Sequence, residues 1–255
     1  MAAPLACDCV KGYAQRKYES LGAYLQKKLH RSVQVVWDES LNSALEKSGG
    51  TFDLIIGKHS VVVSDAHKKK HPVRPLARLT DVNDGVDQTG LIVVRQNDSA
   101  KRVEDLKGYR ILFGPAECDE KSSAVMELLK GHHVPIPDPV EIAPSCSNAA
   151  ITLMELPADA KAAAVISSYA EPLLEGCGKV AKGDLRVIGR SNAVPFITMF
   201  VRESLPAENV SEILQALEDV SLEAQLLIDM ETASGFIPWD DAPAESAARD
   251  AKKKS

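Results

Sequence analysis

Two sets of side chains have the types and spacing to do chemistry, one suited to soft metals or thiols and one to a small anion. Cys7 and Cys9 stand two apart in an extended stretch, so their sulfurs share a face. Cys118 opens a helical pattern, Cys146 lies in a later loop expected to flank it, and His59 follows an apolar run. Thiolate and imidazole select ions such as Cu(I) or Zn²⁺, which makes Cys7, Cys9, His59, Cys118 and Cys146 an alternative metal set. The same sulfurs equally suit disulfides, for example Cys118 with Cys146, or ordinary buried thiols, with Cys177 remote from the rest. Five cysteines leave at least one unpaired, and no Cys-x-x-Cys or His-x-x-x-His spacing favours a metal. No cofactor is assigned.

The anion set is built on helix starts. Residues 108–129 read as a buried strand, a Gly114-Pro115 break and a helix N-terminus whose unpaired N–H groups suit an oxyanion. Cys118, Asp119, Lys121, Ser122 and Ser123 occupy that turn. An equivalent strand–loop–helix ends on Lys58, His59 and Ser60, which supply two cations and a hydroxyl. Asp119 also suits an N-cap, with Glu120 favourable in the first turn. Three carboxylates, Glu117, Asp119 and Glu120, would repel a bound anion by about a few kcal/mol each in a partly buried cleft.

The elements that must position these groups alternate. Apolar periodicity predicts helices over 13–29, 41–47, 103–106, 147–156 and 207–229. Strands are predicted over 32–37, 52–56, 72–79, 91–95, 140–143, 162–166, 185–188 and 196–201, in addition to the one before Gly114. Such β–α alternation predicts an α/β fold with mainly parallel sheets. Ligands on such sheets bind beyond the strands' carboxyl ends, which gathers the loops Asp8–Gly12, Lys58–Ser60, Glu117–Lys121 and Ser167–Tyr169 into one cleft, with Ser147 on a fifth loop, Ser145–Asn148.

At 255 residues, 45% hydrophobic and net charge −6, the chain can bury a large core and carries no broad basic field, so nucleic acid is excluded as a partner. No apolar run approaches the roughly 20 residues of a membrane span. The start lacks a charged n-region and a long apolar h-region, so it is not a signal peptide. Walker A, dinucleotide and nucleophile-elbow patterns are missing, and no enzyme activity is expected. Residues 244–255, all Ala, charge and Ser apart from the expected end of the fold, are expected to be disordered.

The order of motifs resembles the type II periplasmic binding proteins, and most closely the phosphonate/phosphite branch of ABC-transporter solute-binding proteins. The residues that carry it are Tyr18-x-x-Leu-x-x-Tyr-Leu-x-Lys-Lys-Leu29, Gly50-x-Phe-Asp-Leu-Ile-Ile-Gly57, Gly90-Leu-Ile-Val-Val-Arg95 through Phe113, Asp159 through Tyr169, Pro195-Phe-Ile-Thr198 and Gly235-Phe-Ile-Pro238. The resemblance implies two lobes, the first discontinuous (1–91 plus 197–243) and the second 92–196, closing on a small polar or anionic ligand by a hinge in strands 91–95 and 196–201. It also implies a monomer working with a permease in the periplasm or another extracytoplasmic space, with the signal peptide absent from this chain and the membrane reached only through the permease. The family's Ser/Thr-rich oxyanion loop is replaced here by Glu117-Cys-Asp-Glu120.

Overall fold

A computed structural model describes residues 11–38 and 40–240, so Cys7, Asp8, Cys9, the first expected strand and the expected tail lie outside the described residues. The chain runs α1 (Lys11–Leu29), α2 (Leu41–Lys47), β1 (Leu54–Lys58), α3 (His59–Lys69), β2 (Val73–Leu79), β3 (Asp87–Gln88) and β4 (Gly90–Arg95). It continues through β5 (Arg110–Phe113), α4 (Ser123–Gly131), β6 (Glu141–Ile142), α5 (Cys146–Glu155), β7 (Ala162–Ser167) and α6 (Ala170–Gly176). It ends with β8 (Leu185–Arg190), β9 (Val194–Pro195), β10 (Ile197–Arg202), α7 (Ala207–Glu218), α8 (Ala224–Met230) and β11 (Phe236–Pro238).

The elements form a two-lobe α/β fold. One sheet has the order β1-β10-β2-β11, with β1 and β2 in the same direction, joined by α3, and β10 returning between them. Opposed residues on β1 and β10 alternate faces. Ile55 and Phe200 pack with Leu41, Leu45, Val62 and Ala66 of α2 and α3. Met199 and Val201 turn to the other side, onto Leu21 and Leu25 of α1 and onto α7 and α8.

The second sheet has the order β6-β5-β7-β4-β8, in which β4 alone opposes the other four strands. Helices cover both faces, so β7 is buried along its whole length and reads as an apolar run over 162–166 that ends on Ser167. Ala162, Ala164 and Ile166 face α5 and α6, while Ala163 and Val165 face α4. The sheets are thus mixed, with the common direction strongest in this lobe.

Between the sheets the chain passes twice, and β3 pairs with β9 where it does so. Residues 91–95 and 196–201, expected to carry a hinge, lie in the two sheets apart from Phe196, which stands just before β10. Two expectations are corrected. Residues 32–37 form no strand among the described residues, and the first expected strand, which precedes them, lies outside those residues. The helix expected over 207–229 breaks at the 3₁₀ turn Asp219–Leu222, where Val220 is fully buried and the chain folds α8 back onto α1.

Candidate functional site

Lys58 is the last residue of β1, and no loop follows: His59 and Ser60 open α3 directly. Opposite them, β5 leads through Gly114 and Pro115 into a 3₁₀ turn, Asp119–Lys121, before α4 starts at Ser123. The two starts touch across the lobes. Lys58 Nζ donates to Glu120 Oε1, with the two side chains 8% and 0% exposed. The Asp119 N–H donates to Ser60 Oγ at 3.3 Å, and Lys68 Nζ to Glu117 Oε1 at 2.6 Å. Lysine 68 thereby draws the Glu117 carboxyl below its usual range.

The acidic turn is not a helix cap. No side chain caps α4, and Asp119 instead accepts the Ser123 hydroxyl at 3.1 Å. Exposed Ser123 and buried Ser122 serve the turn: the Ser122 carbonyl accepts from Met126 N–H at 2.9 Å. Lys121 is buried with its stem against Gly114, where a β-carbon would lie 2.5 Å from Lys121 Cβ. Its ammonium lies near Cys146 and Cys118. Burial pulls that ammonium down, but the two sulfurs and Glu120 hold it above the ordinary lysine value.

Cys118, Cys146 and Cys177 are free thiols, so the suggested Cys118–Cys146 disulfide does not form. Among the described residues no group of three or more His, Cys, Asp or Glu could hold a metal, and His59 is turned elsewhere. Its Nδ1 lies 3.2 Å from Thr198 Oγ1, and its ring stacks on Trp239 at 4.8 Å and 6°. Arg78 covers the same indole at 5.4 Å. Burial pushes the His59 imidazole below its ordinary value, Asp119 opposes this, and Arg78 reinforces it.

Of the remaining predicted residues, Ser168 and Tyr169 stand beside the passage between the lobes. Ser168 Oγ accepts from Thr89 N–H at 3.1 Å, fixing it to the chain before β4. Tyr169 rests against Phe196 at 4.9 Å between ring centres, and burial raises its hydroxyl. Ser147 Oγ, in the first turn of α5, is buried without a partner among the described residues. Asp8 lies outside the described residues.

Gln88 and Gly90 escaped the sequence, whereas Glu120 and Ser167 lie on loops already expected at the cleft. Gln88 is 4% exposed; its Oε1 accepts from Ser167 Oγ at 2.8 Å, and its Nε2 has no partner among the described residues. Ser167 N–H points at Cys146 Sγ, 3.4 Å away, which ties Gln88 to the Lys121 cluster. Glu120 Oε2 is also buried and unpartnered among the described residues. Gly90 supports that turn: a β-carbon there would lie 1.8 Å from the Glu120 carbonyl oxygen. A polar residue beside a glycine at a strand start was the only local signal, and it is weak.

The sequence matches a family described as the periplasmic substrate-binding protein of phosphonate ABC transporters over residues 12–243. No curated protein sequence matches it. Among solved structures, XAC2383 from Xanthomonas citri, bound to ATP, is similar at TM-score 0.70 and 15% identity, covering 89% of this chain and 88% of that one. PhnD1 from Prochlorococcus marinus, in complex with methylphosphonate, is similar at TM-score 0.66 and 14% identity, covering 94% and 91%. A binding-protein component of a phosphonate transporter from Pseudomonas aeruginosa gives TM-score 0.64 and 13% identity, covering 94% and 80%. These likenesses establish the fold. No helix among the described residues is long and apolar enough to cross a membrane. The family is a transporter component that works with a small-molecule ligand and a permease, and is not a family of enzymes. Matched over nearly its whole length, the chain belongs to the phosphonate-type periplasmic substrate-binding proteins of ABC transporters.

Proposed function

We propose that this chain is the extracytoplasmic binding component of an ABC-type uptake system. It takes a small polar or anionic solute, phosphonate- or phosphate-like, in the cleft between lobes 1–91 plus 197–243 and 92–196. The observation that carries this reading is the pair of buried donors without partners among the described residues, Gln88 Nε2 and Ser147 Oγ. A buried donor left unsatisfied costs about 1–3 kcal/mol, and Ser147 stands where the first turn of α5 adds unpaired N–H groups. An oxyanion offers the kind of acceptor that each of them lacks. Lys58, His59, Ser60, Cys118, Asp119, Lys121, Ser122, Ser123, Ser147, Ser168 and Tyr169 contribute to the walls.

Closure is a hinge motion about the two passages near β3 and β9, whose short strands keep them side by side. The closed monomer is the form that a permease recognises. Native mass spectrometry of the purified protein tests the reading. A small solute retained on the folded chain and lost on denaturation, with retention reduced by Gln88→Ala and Ser147→Ala, is the expected result. No retained solute, together with no compaction in small-angle scattering on adding methylphosphonate or phosphate, overturns it.

A further inference from the structure

The ion pair between Lys58 and Glu120 joins residues 62 apart in sequence, one from each lobe. It is built into the backbone. Cys118 N–H donates to Pro115 O at 2.9 Å, Lys121 N–H to Cys118 O at 2.9 Å, and Gly114 N–H to Lys121 O at 3.0 Å. Gly90 packs directly under the Glu120 carbonyl. A turn held this way cannot drift, and it aims a fully buried carboxylate at the lobe-one cation.

An anion entering the cleft therefore meets Lys58 already matched by a carboxylate of the protein. The second oxygen, Glu120 Oε2, is buried and accepts no hydrogen bond among the described residues. Beside it an ionised ligand oxygen meets like charge at low screening, whereas a ligand O–H completes its hydrogen bonding. Lys121 remains as a buried positive charge near the same turn. Two buried ammonium groups and one buried carboxylate leave a single positive charge in excess, which matches a monoanion.

We propose that Glu120 is the specificity-determining residue of this cleft, selecting singly ionised oxyanions that still carry an O–H and rejecting dianions. The proposal rests on the solute-binding reading above. The titratable groups around Glu120 are Lys58 from β1, His59 from α3, Cys118, Asp119 and Lys121 from its own turn, and Cys146 from α5.

Isothermal titration with methylphosphonate and with sulfate, which carries no proton near neutral pH, tests it. The intact chain should bind methylphosphonate at least tenfold tighter than sulfate below the second ionisation of methylphosphonate. That preference should shrink as pH rises through it. Glu120→Gln should strengthen sulfate binding at least tenfold and flatten the pH dependence. Sulfate binding the intact chain as tightly as methylphosphonate overturns the proposal without any variant, and so does an unchanged ratio in Glu120→Gln. If a solute is retained in native mass spectra while sulfate is not disfavoured, the Glu120 assignment falls and the cleft reading stands. If nothing binds, both fall.

Discussion

Gly90 and Glu120 meet so closely that a β-carbon on the glycine would sit 1.8 Å from the Glu120 carbonyl oxygen and 2.6 Å from Val125 Cγ2. The first obstacle is backbone, which cannot rotate away as a side-chain tip would. Gly90→Ala must push the 3₁₀ turn off β4, and we expect a loss of about 2–3 kcal/mol, the upper part of the overpacking range. Gly131, at the end of α4 with nothing within 4 Å of its added β-carbon, is the control. Gly131→Ala should leave stability unchanged or raise it by up to about 1 kcal/mol. Urea unfolding reads both, and equal effects would refute the steric account.

What the sequence discloses and what it hides divide along the range of the forces involved. β7 was legible because a strand covered on both faces needs no polar residue, and Ala162-Ala-Ala-Val-Ile166 has none. The stripe of α1 was legible for a similar reason, since Leu21 and Leu25 recur at helical spacing. Residues 32–37 carry β-branched side chains, but a strand exists only against a partner, and periodicity does not reveal whether one lies alongside. The break after Glu218 follows from burial of Val220 in the assembled core. At the site, Lys58, His59, Ser60 and Lys121 were found as charges or hydroxyls at strand ends. Their partners were not: Glu120 looked like part of a helix cap, and Gln88 sits in a strand of two residues with no pattern to announce it.

Removing either half of the Lys58–Glu120 pair leaves a buried charge without its counter-ion. Lys58→Met alone should cost about 3–5 kcal/mol, in line with other buried pairs broken on one side. Adding Glu120→Leu to it removes the stranded carboxylate and should recover most of that loss. A double-mutant cycle by chemical denaturation measures the coupling. Additive effects of the two substitutions would mean that the pair contributes nothing to holding the lobes together.

Arg95 closes the far end of α5. Its guanidinium reaches Pro157 O at 2.6 Å, Leu153 O at 2.7 Å and Met154 O at 3.2 Å, and it also meets Leu156 O. Helix ends leave such carbonyls without intrahelical donors. A lysine keeps the charge but lacks the planar fork, so Arg95→Lys should cost about 1–2 kcal/mol. Hydrogen exchange should show faster opening at the end of α5 than at its start. An unchanged denaturation midpoint would show that water replaces the fork without penalty.

His59 gives the fold a dependence on pH with a definite sign. Burial against Trp239 and Phe200 disfavours the imidazolium, so the folded-state value lies below the ordinary 6.5. The unfolded chain therefore binds more protons in that window. The stability contributed by neutral His59 is complete above 6.5 and is lost as pH falls through the lowered folded value. One such group changes stability by at most about 1.4 kcal/mol per pH unit. His59→Gln keeps a planar group beside Trp239 and a polar atom near Thr198, but it does not titrate. On acidification from neutral pH, the Tm of the intact chain should fall faster than that of His59→Gln, and the two should run parallel at alkaline pH. Parallel curves on the acid side as well would show that the imidazole is solvated when charged, and the packing of His59 on Trp239 would then carry no pH dependence.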